Sequence, residues 1–168
     1  PWLFLGQHVA MAGHPTSGTL THWMRRVMAS DLQSGPAIET LNAEALASPP
    51  GANGLVVLPY FSGTLTPLYD SGAKGMIFGL DLTHTRGDIF RASLEGIAQA
   101  TRHIIETYGH AGQPPREIQA VGGGTKSKVW SQATSDTCHV VQKLREKTWG
   151  ASFGDAFLAA LALGDVKP

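Results

Sequence analysis

Cysteine, charge and long apolar runs are all scarce in this chain of 168 residues. Cys138 is the only cysteine, so no intrachain disulfide can form and a cytoplasmic location is expected. No apolar run approaches the roughly 20 residues that span a bilayer, and the first residues lack the pattern of a targeting signal. The sequence therefore predicts no membrane segment, and it predicts that Cys138 is a buried thiol that packs like a small apolar residue.

An excess of charge of either sign is also missing, because 13 basic residues balance 13 acidic ones. Proteins that bind nucleic acid or anionic membranes carry clusters of Lys and Arg, so neither partner is expected. The seven histidines show no H-E-x-x-H spacing, and one cysteine cannot build a thiolate zinc site. No metal held by protein ligands alone is expected, and the remaining partners are a small molecule, another protein or a second copy in a homodimer.

Apolar residues, in contrast, are plentiful. Hydrophobic residues make up 42% of the chain and charged residues 15%, which provides enough apolar surface to offset the entropy lost on folding. The length fits a single domain over residues 1–168, or part of a larger one. Pro1 is followed at once by apolar residues, which favours a chain that continues a longer protein.

Apolar spacing and turn residues predict strands that alternate with helices, an α/β class. The predicted elements are strand or hairpin structure in 1–15, a helix from Thr19 to Leu32, a helix over 37–46, a strand over 54–58 that is buried on both faces, a loop over 62–75, a strand at 76–78, a helix over 89–108, a strand at 118–121, a helix from Ser127, a strand within 139–144 and a core helix over 151–163. Thr85 and Asp88 have the spacing of a capping box at the start of the longest helix.

A run of three glycines, Gly122, Gly123 and Gly124, joins a predicted strand to a predicted helix. Without Cβ atoms, such a turn lets backbone N–H groups approach an anion or a nucleotide. The run lacks the spacing of G-x-x-x-x-G-K-[ST] and of G-x-G-x-x-G. From the residues alone, it indicates either a structural turn or a nucleotide contact.

A competing pattern surrounds Ser152, because residues 150–154 fit the G-x-S-x-G nucleophile elbow of serine hydrolases. In that class the histidine follows the serine, whereas the last histidine here is His139. The order disfavours a hydrolase. The scattered carboxylates Asp70 and Asp88 are explained as a turn former and a helix cap, and the tryptophans at helical spacing as core anchors.

Several segments together resemble the FGGY carbohydrate kinases, in particular the C-terminal domain of the xylulose-kinase-like branch. The matching residues are Gly75 to Leu80 followed after seven residues by Asp88 to Glu95, the family's second signature; Leu58 to Gly63 with Thr66, Pro67 and Asp70; Gly122 to Gly124 with Ser127, Trp130 and Gln132; and Gly150, Ala151, Gly154 and Ala156. The resemblance covers residues 54–164 well and residues 1–50 loosely, through Gly18, Leu20 and Trp23.

This resemblance implies an actin-like, ribonuclease-H-like fold with a mixed sheet flanked by helices, as one half of a two-domain sugar kinase. ATP and Mg²⁺ would lie between the halves, with Gly122, Gly123 and Gly124 against the phosphate or ribose and Ser127 near the adenine. The full-length kinase would phosphorylate a sugar or polyol hydroxyl, with a pentulose such as xylulose as the expected substrate. The catalytic base would belong to the N-terminal domain, so no catalytic residue and no metal ligand is assigned here.

Two departures from the family pattern affect what this chain can do alone. Thr64 and Leu65 stand where the family often has an acidic residue and an arginine, and a phosphate-contacting hairpin expected before this region is missing or truncated. The chain alone is therefore expected to be inactive. The alternative is a nucleotide-binding or oligomerisation module with no catalysis of its own.

Overall fold

The computed structural model describes residues 6, 8–32, 36–144 and 150–166. Its helices and strands are, in chain order, α1 (Ser17–Met28), α2 (Ala37–Ala47), β1 (Val56–Leu58), β2 (Met76–Phe78), α3 (Arg86–His110), β3 (Ile118–Ala120), α4 (Lys128–Cys138), β4 (Gln142–Leu144) and α5 (Ala151–Leu163). Short 3-10 turns follow α1, precede β1 and follow β3. The alternation of helices and strands confirms the predicted α/β class.

Helix α3 lies at the centre of the molecule and contacts α1, α2, α4 and β1. The main hydrophobic core forms where these elements meet, from Leu20, Met24, Ala29, Leu41, Ala45, Phe90, Leu94, Ile97 and Val129. Trp23 packs against this core and contacts the ring of Phe61, with 5.2 Å between the ring centroids, as predicted for a core anchor. Cys138 is buried, as predicted, and burial raises the pKa of its thiol.

Two glycines allow α3 to approach other elements at backbone distance. A Cβ atom on Gly87 would lie 2.6 Å from the carbonyl oxygen of Glu44 in α2. A Cβ atom on Gly96 would overlap the carbonyl oxygen of Val57 in β1. Any larger residue at either position would separate the packed elements.

The start of α3 is fixed by the predicted capping box. The Thr85 side chain accepts a hydrogen bond from the Asp88 N–H, and the Asp88 carboxylate accepts one from the Thr85 N–H at 2.7 Å. Asp88 is buried, and it also accepts hydrogen bonds from Ser48 Oγ at 2.6 Å and Asn53 Nδ2 at 2.8 Å. These bonds, with that of Ser48 contributing most, hold the pKa of Asp88 well below its ordinary range. The carboxylate thus ties the segment after α2 to the start of α3.

Strands β1 and β2 form an antiparallel pair, with Val56 opposite Phe78 and Leu58 opposite Met76. The prediction that β1 is buried on both faces is wrong. Val57 is 4% exposed, whereas Val56 is 58% exposed. The reason is that α3 covers one face of the pair, and no described element covers the other.

Strands β3 and β4 form a separate parallel pair, in which Gln119 lies opposite Lys143. The strand predicted within 139–144 begins only at Gln142, because His139 ends α4 with a left-handed backbone. Ser127 caps α4 by accepting a hydrogen bond from the Trp130 N–H, which confirms the predicted helix start.

Three further predictions need correction. Helix α1 begins at Ser17 and ends at Met28, and Leu32 lies in a separate 3-10 turn, because Ala29 leaves the helical conformation. Residues 8–15 form no strand; residues 1–5 and 7 of that prediction lie outside the described residues. No residue of α5 is buried, although its sequence is apolar on all sides, because no described helix or strand packs extensively against it.

We predict that Gly96→Ala lowers the free energy of unfolding by about 1–3 kcal/mol, because the new methyl group collides with the backbone of β1. Gly109→Ala is the matched control on the same helix, since a Cβ atom there meets nothing within 4 Å. The control should be neutral or more stable by up to about 1 kcal/mol. Urea unfolding measures both, and equal stability of the two variants would contradict the packing argument.

A pH dependence follows from Asp88, whose pKa is lowered in the folded state from the ordinary value of 3.8. The unfolded chain binds its proton more readily, so the stabilisation is complete well above 3.8 and is lost progressively as the pH falls from there toward the lower pKa of the folded state. Asp88→Asn should be less stable than the wild type near neutral pH, and the difference should shrink toward pH of about 3. Thermal unfolding at several pH values measures this, and a gap that stays constant would refute it.

Candidate functional site

A cavity of about 700 Å³ opens between α1, α2, α3, α4 and the turn that follows β3. Its walls combine polar side chains from α1, α2 and α4 with apolar ones such as Ile38, Phe90 and Trp130. This combination of an apolar wall and a few polar groups is typical of small-molecule sites.

The glycine run forms one wall of the cavity. Gly122 has φ of 96° and ψ of −176°, a conformation that is almost restricted to glycine. Gly123 to Lys126 then form a 3-10 turn, which is closed by hydrogen bonds from Thr125 N to Gly122 O and from Ser127 N to Gly124 O. The N–H groups of Gly123 and Gly124 have no hydrogen-bond partner among the described residues, so they can donate to a ligand.

The structure brings most of the predicted site residues together. Gly123, Gly124 and Ser127 line the cavity, whereas Gly122 lies beside it and shapes the turn. A Cβ atom on Gly124 would lie 3.0 Å from the Trp130 ring, so this glycine lets the indole pack against the turn. Trp130, predicted to be a core anchor, packs against the core and also lines the cavity.

Ser127 links two walls of the cavity. Its Oγ accepts a hydrogen bond from the Trp130 N–H at 3.3 Å and donates one to Asn42 Oδ1 at 2.5 Å. Ser127 is 7% exposed, so both bonds are largely shielded from water. The position of the turn is thereby fixed relative to α2.

Helices α1 and α2 also contribute to the cavity, which their apolar spacing does not predict. Ser17, Gly18, Thr21 and His22 line the cavity from the first turns of α1, and Ile38, Glu39 and Asn42 line it from α2. Of these residues, only Gly18 belongs to the family resemblance of the first 50 residues. The sequence does contain a signal for the α1 wall, because residues 18, 21 and 22 are spaced three and four apart and so form a second, polar face of the helix.

An arginine clamp holds α2 in place. Arg86, at the start of α3, donates from Nε to Glu44 Oε2 at 2.8 Å and from a terminal nitrogen to Asp31 at 2.7 Å. The hydrogen bonds from Arg86 lower the pKa values of both Glu44 and Asp31. A single guanidinium therefore joins α3, α2 and the turn after α1, which fixes the wall that carries Asn42.

Among the residues that the structure describes, neither a metal cluster nor Ser152 belongs to this site. Within the described ranges, no group of three or more His, Cys, Asp or Glu side chains is placed to hold a metal ion. Ser152 lies on α5 and does not line the cavity. Residues 145–149, which join the strand predicted within 139–144 to Gly150, lie outside the described residues. None of the helices described is long and apolar enough to cross a membrane.

Comparison with known proteins gives consistent matches. Residues 6–163 match the model of the FGGY family of carbohydrate kinases, C-terminal domain, so the match includes most of the loosely resembling first 50 residues. The xylulose kinase of Staphylococcus epidermidis (strain ATCC 35984) is 34% identical over 157 residues, which cover 94% of this chain and 31% of that protein. The xylulose kinase of Bacillus subtilis is 33% identical over 148 residues, 88% of this chain and 29% of that protein.

Solved structures show the same relationship. Xylulose kinase from Rhodospirillum rubrum superposes with a TM-score of 0.75 at 36% identity, covering 90% of this chain and 30% of that one. Plasmodium falciparum glycerol kinase with ADP gives a TM-score of 0.72 at 25% identity, covering 90% of this chain and 29% of that one. The chain thus spans about 30% of the length of the relatives it matches.

We predict that Gly122→Ala destabilises the fold by about 1–3 kcal/mol, because its φ of 96° strains any residue with a Cβ atom. Gly123→Ala is the control, since a Cβ atom there meets nothing within 4 Å and its φ is not in the left-handed region. Chemical denaturation measures both variants. If Gly123→Ala is as destabilising as Gly122→Ala, the strain is not at Gly122.

Proposed function

Because the chain belongs to the FGGY family of carbohydrate kinases, we propose that it supplies the nucleotide-binding half of an enzyme that transfers a phosphoryl group from ATP to a sugar hydroxyl. One observation supports this most strongly. The glycine turn with free N–H groups faces the polar sides of α1 and α2 across one cavity. In this proposal, residues 1–168 act as a single domain of a longer cytoplasmic protein.

The nucleotide would lie along the turn. The N–H groups of Gly123 and Gly124 donate to phosphate or ribose oxygens, and Gly122 gives the turn the conformation that exposes them. Ser127 lies at the adenine end, where Ile38 and Trp130 offer apolar surfaces to a planar base. The related glycerol kinase with ADP supports a nucleotide of this class.

Mg²⁺ enters this proposal bound to the nucleotide. Among the described residues of the cavity wall, Glu39 supplies the only carboxylate, and the other polar groups are hydroxyl, amide and backbone groups with the side chains of His22 and Lys126. This is a poor ligand set for Mg²⁺ from protein atoms alone. Phosphate oxygens would supply the remaining ligands, and the ion would neutralise charge during phosphoryl transfer.

The acceptor is proposed to be a pentulose, since the relatives of this chain include xylulose kinases from two organisms. The N-terminal domain would bind the sugar and supply the carboxylate base that removes its hydroxyl proton. This chain would contribute by holding the terminal phosphate in line with that hydroxyl, since phosphoryl transfer depends mainly on positioning and charge neutralisation.

A module without catalysis of its own is the second candidate. The exposed apolar side chains on the open face of the β1–β2 pair favour association with another surface; they are Val56, Leu58, Met76 and Phe78. A homodimer through this face belongs to that candidate. Turnover by the full-length protein distinguishes the two.

We predict that Gly123→Asp in the full-length protein abolishes ATP binding, because it places a carboxylate beside the phosphates. Gly123→Asn is the matched control, since it has nearly the same shape without the charge. No neighbouring atom lies within 4 Å of a Cβ atom at this position, so both variants should fold. Isothermal titration calorimetry measures the affinity, and unchanged binding by Gly123→Asp would refute the placement of the phosphates.

We also predict that residues 1–168 alone show no sugar kinase turnover, because the proposed catalytic base belongs to the N-terminal domain. A coupled assay of ADP release with D-xylulose measures this. Turnover above background by the isolated chain would contradict the assignment of the base.

A further inference from the structure

The Asn42 side chain has hydrogen-bonding capacity that no described residue uses. Its Oδ1 accepts from Ser127 Oγ at 2.5 Å. The same Oγ accepts from the Trp130 N–H at 3.3 Å, so its own proton is directed to Asn42. The Asn42 amide nitrogen therefore carries two N–H donors, and neither has an acceptor in the part of the chain that the structure describes.

This amide is held in a defined orientation in the cavity wall. Ser127 is 7% exposed and occupies the N-cap of α4, so it cannot rotate away without losing its bond to the helix. Asn42 is half-buried on α2, which the Arg86 clamp fixes to α3. The free donor is thus preorganised, so the Asn42 side chain loses little conformational entropy when a ligand accepts its hydrogen bond.

The surroundings of Asn42 favour a nucleotide base over a phosphate. Ile38 and Trp130 line the same cavity with apolar surface, which suits a planar ring. Glu39, the residue three positions before Asn42 and also in the wall, repels an anion. The free N–H groups of Gly123 and Gly124 provide the alternative place for phosphates.

We infer that Asn42 is a specificity-determining residue, whose Nδ2 donates a hydrogen bond to a ring nitrogen of adenine, and that Ser127 is the positioning residue that orients the amide. The inference rests on the proposed function, because it assumes that this cavity holds ATP. Asn42 would thus recognise the adenine base, although it lies on α2, outside both the glycine turn and the family signature.

The test uses the full-length protein with Asn42→Ala, Asn42→Asp and Ser127→Ala. Asn42→Asp keeps an acceptor for the Ser127 hydroxyl but replaces the donor with a second acceptor, which faces the ring nitrogen with repulsion. Calorimetry should show ATP binding weakened about 3- to 10-fold for Asn42→Ala, by a smaller factor for Ser127→Ala and by a larger one for Asn42→Asp. Thr40→Ala, on the same helix but outside the cavity wall, is the control and should bind as the wild type does.

Two further probes separate the base from the phosphates. Inorganic tripolyphosphate should bind the wild type and Asn42→Ala equally. Deaza analogues of ATP have one ring nitrogen of adenine replaced by C–H. One of these analogues should bind the wild type as weakly as ATP binds Asn42→Ala. The Asn42→Ala variant should bind that analogue and ATP with equal affinity, because the hydrogen bond is already lost.

The outcomes distinguish the inference from the proposed function. ATP affinity that is unchanged in Asn42→Ala overturns the inference and leaves the nucleotide site standing. An equal loss of affinity for tripolyphosphate also overturns it, because the residue then acts on phosphates or on folding. Failure of the wild type to bind ATP overturns the proposed function, and the inference with it.

Discussion

The close approach of α3 to its neighbours is the constraint on which the rest of the structure depends. At Gly87 and Gly96 the helix meets backbone carbonyl groups of α2 and β1 with no side chain between them. The Asp88 cap and the Arg86 clamp then fix the start of α3 to the end of α2 and the turn after α1. Because α1 and α2 carry one side of the cavity, the shape of the site depends on contacts that lie outside it.

The candidate site combines features that are weak when taken alone. A glycine turn by itself indicates only a bend, and polar residues on a helix indicate only a solvated face. Here Ser127 joins them, because one buried hydroxyl caps α4 and also orients Asn42 on α2. Under the proposed function the ligand of this cavity is a nucleotide, and the contacts of Ser127 and Asn42 would decide which part of it each residue recognises.

Local signals in the sequence predicted local structure well. The capping box at Thr85 and Asp88 and the glycine turn were predicted because the interactions that form them lie within a few residues of each other. Burial was predicted less well. The apolar patterns of β1 and α5 predict elements that are covered on all sides, but β1 is buried on one face only and α5 has no buried residue. Whether an apolar face is covered depends on residues far away in the sequence, and the periodicity of one segment carries no information about them. The α1 wall was missed because its apolar spacing revealed only the face that enters the core.

The central claim is that a nucleotide occupies the cavity between the glycine turn and α2. The most direct measurement is a crystal structure of the full-length protein with a non-hydrolysable ATP analogue and Mg²⁺. The account predicts phosphates against Gly123 and Gly124, and the base between α2 and α4 next to Ser127. A nucleotide bound elsewhere, with this cavity filled only by solvent, would contradict it.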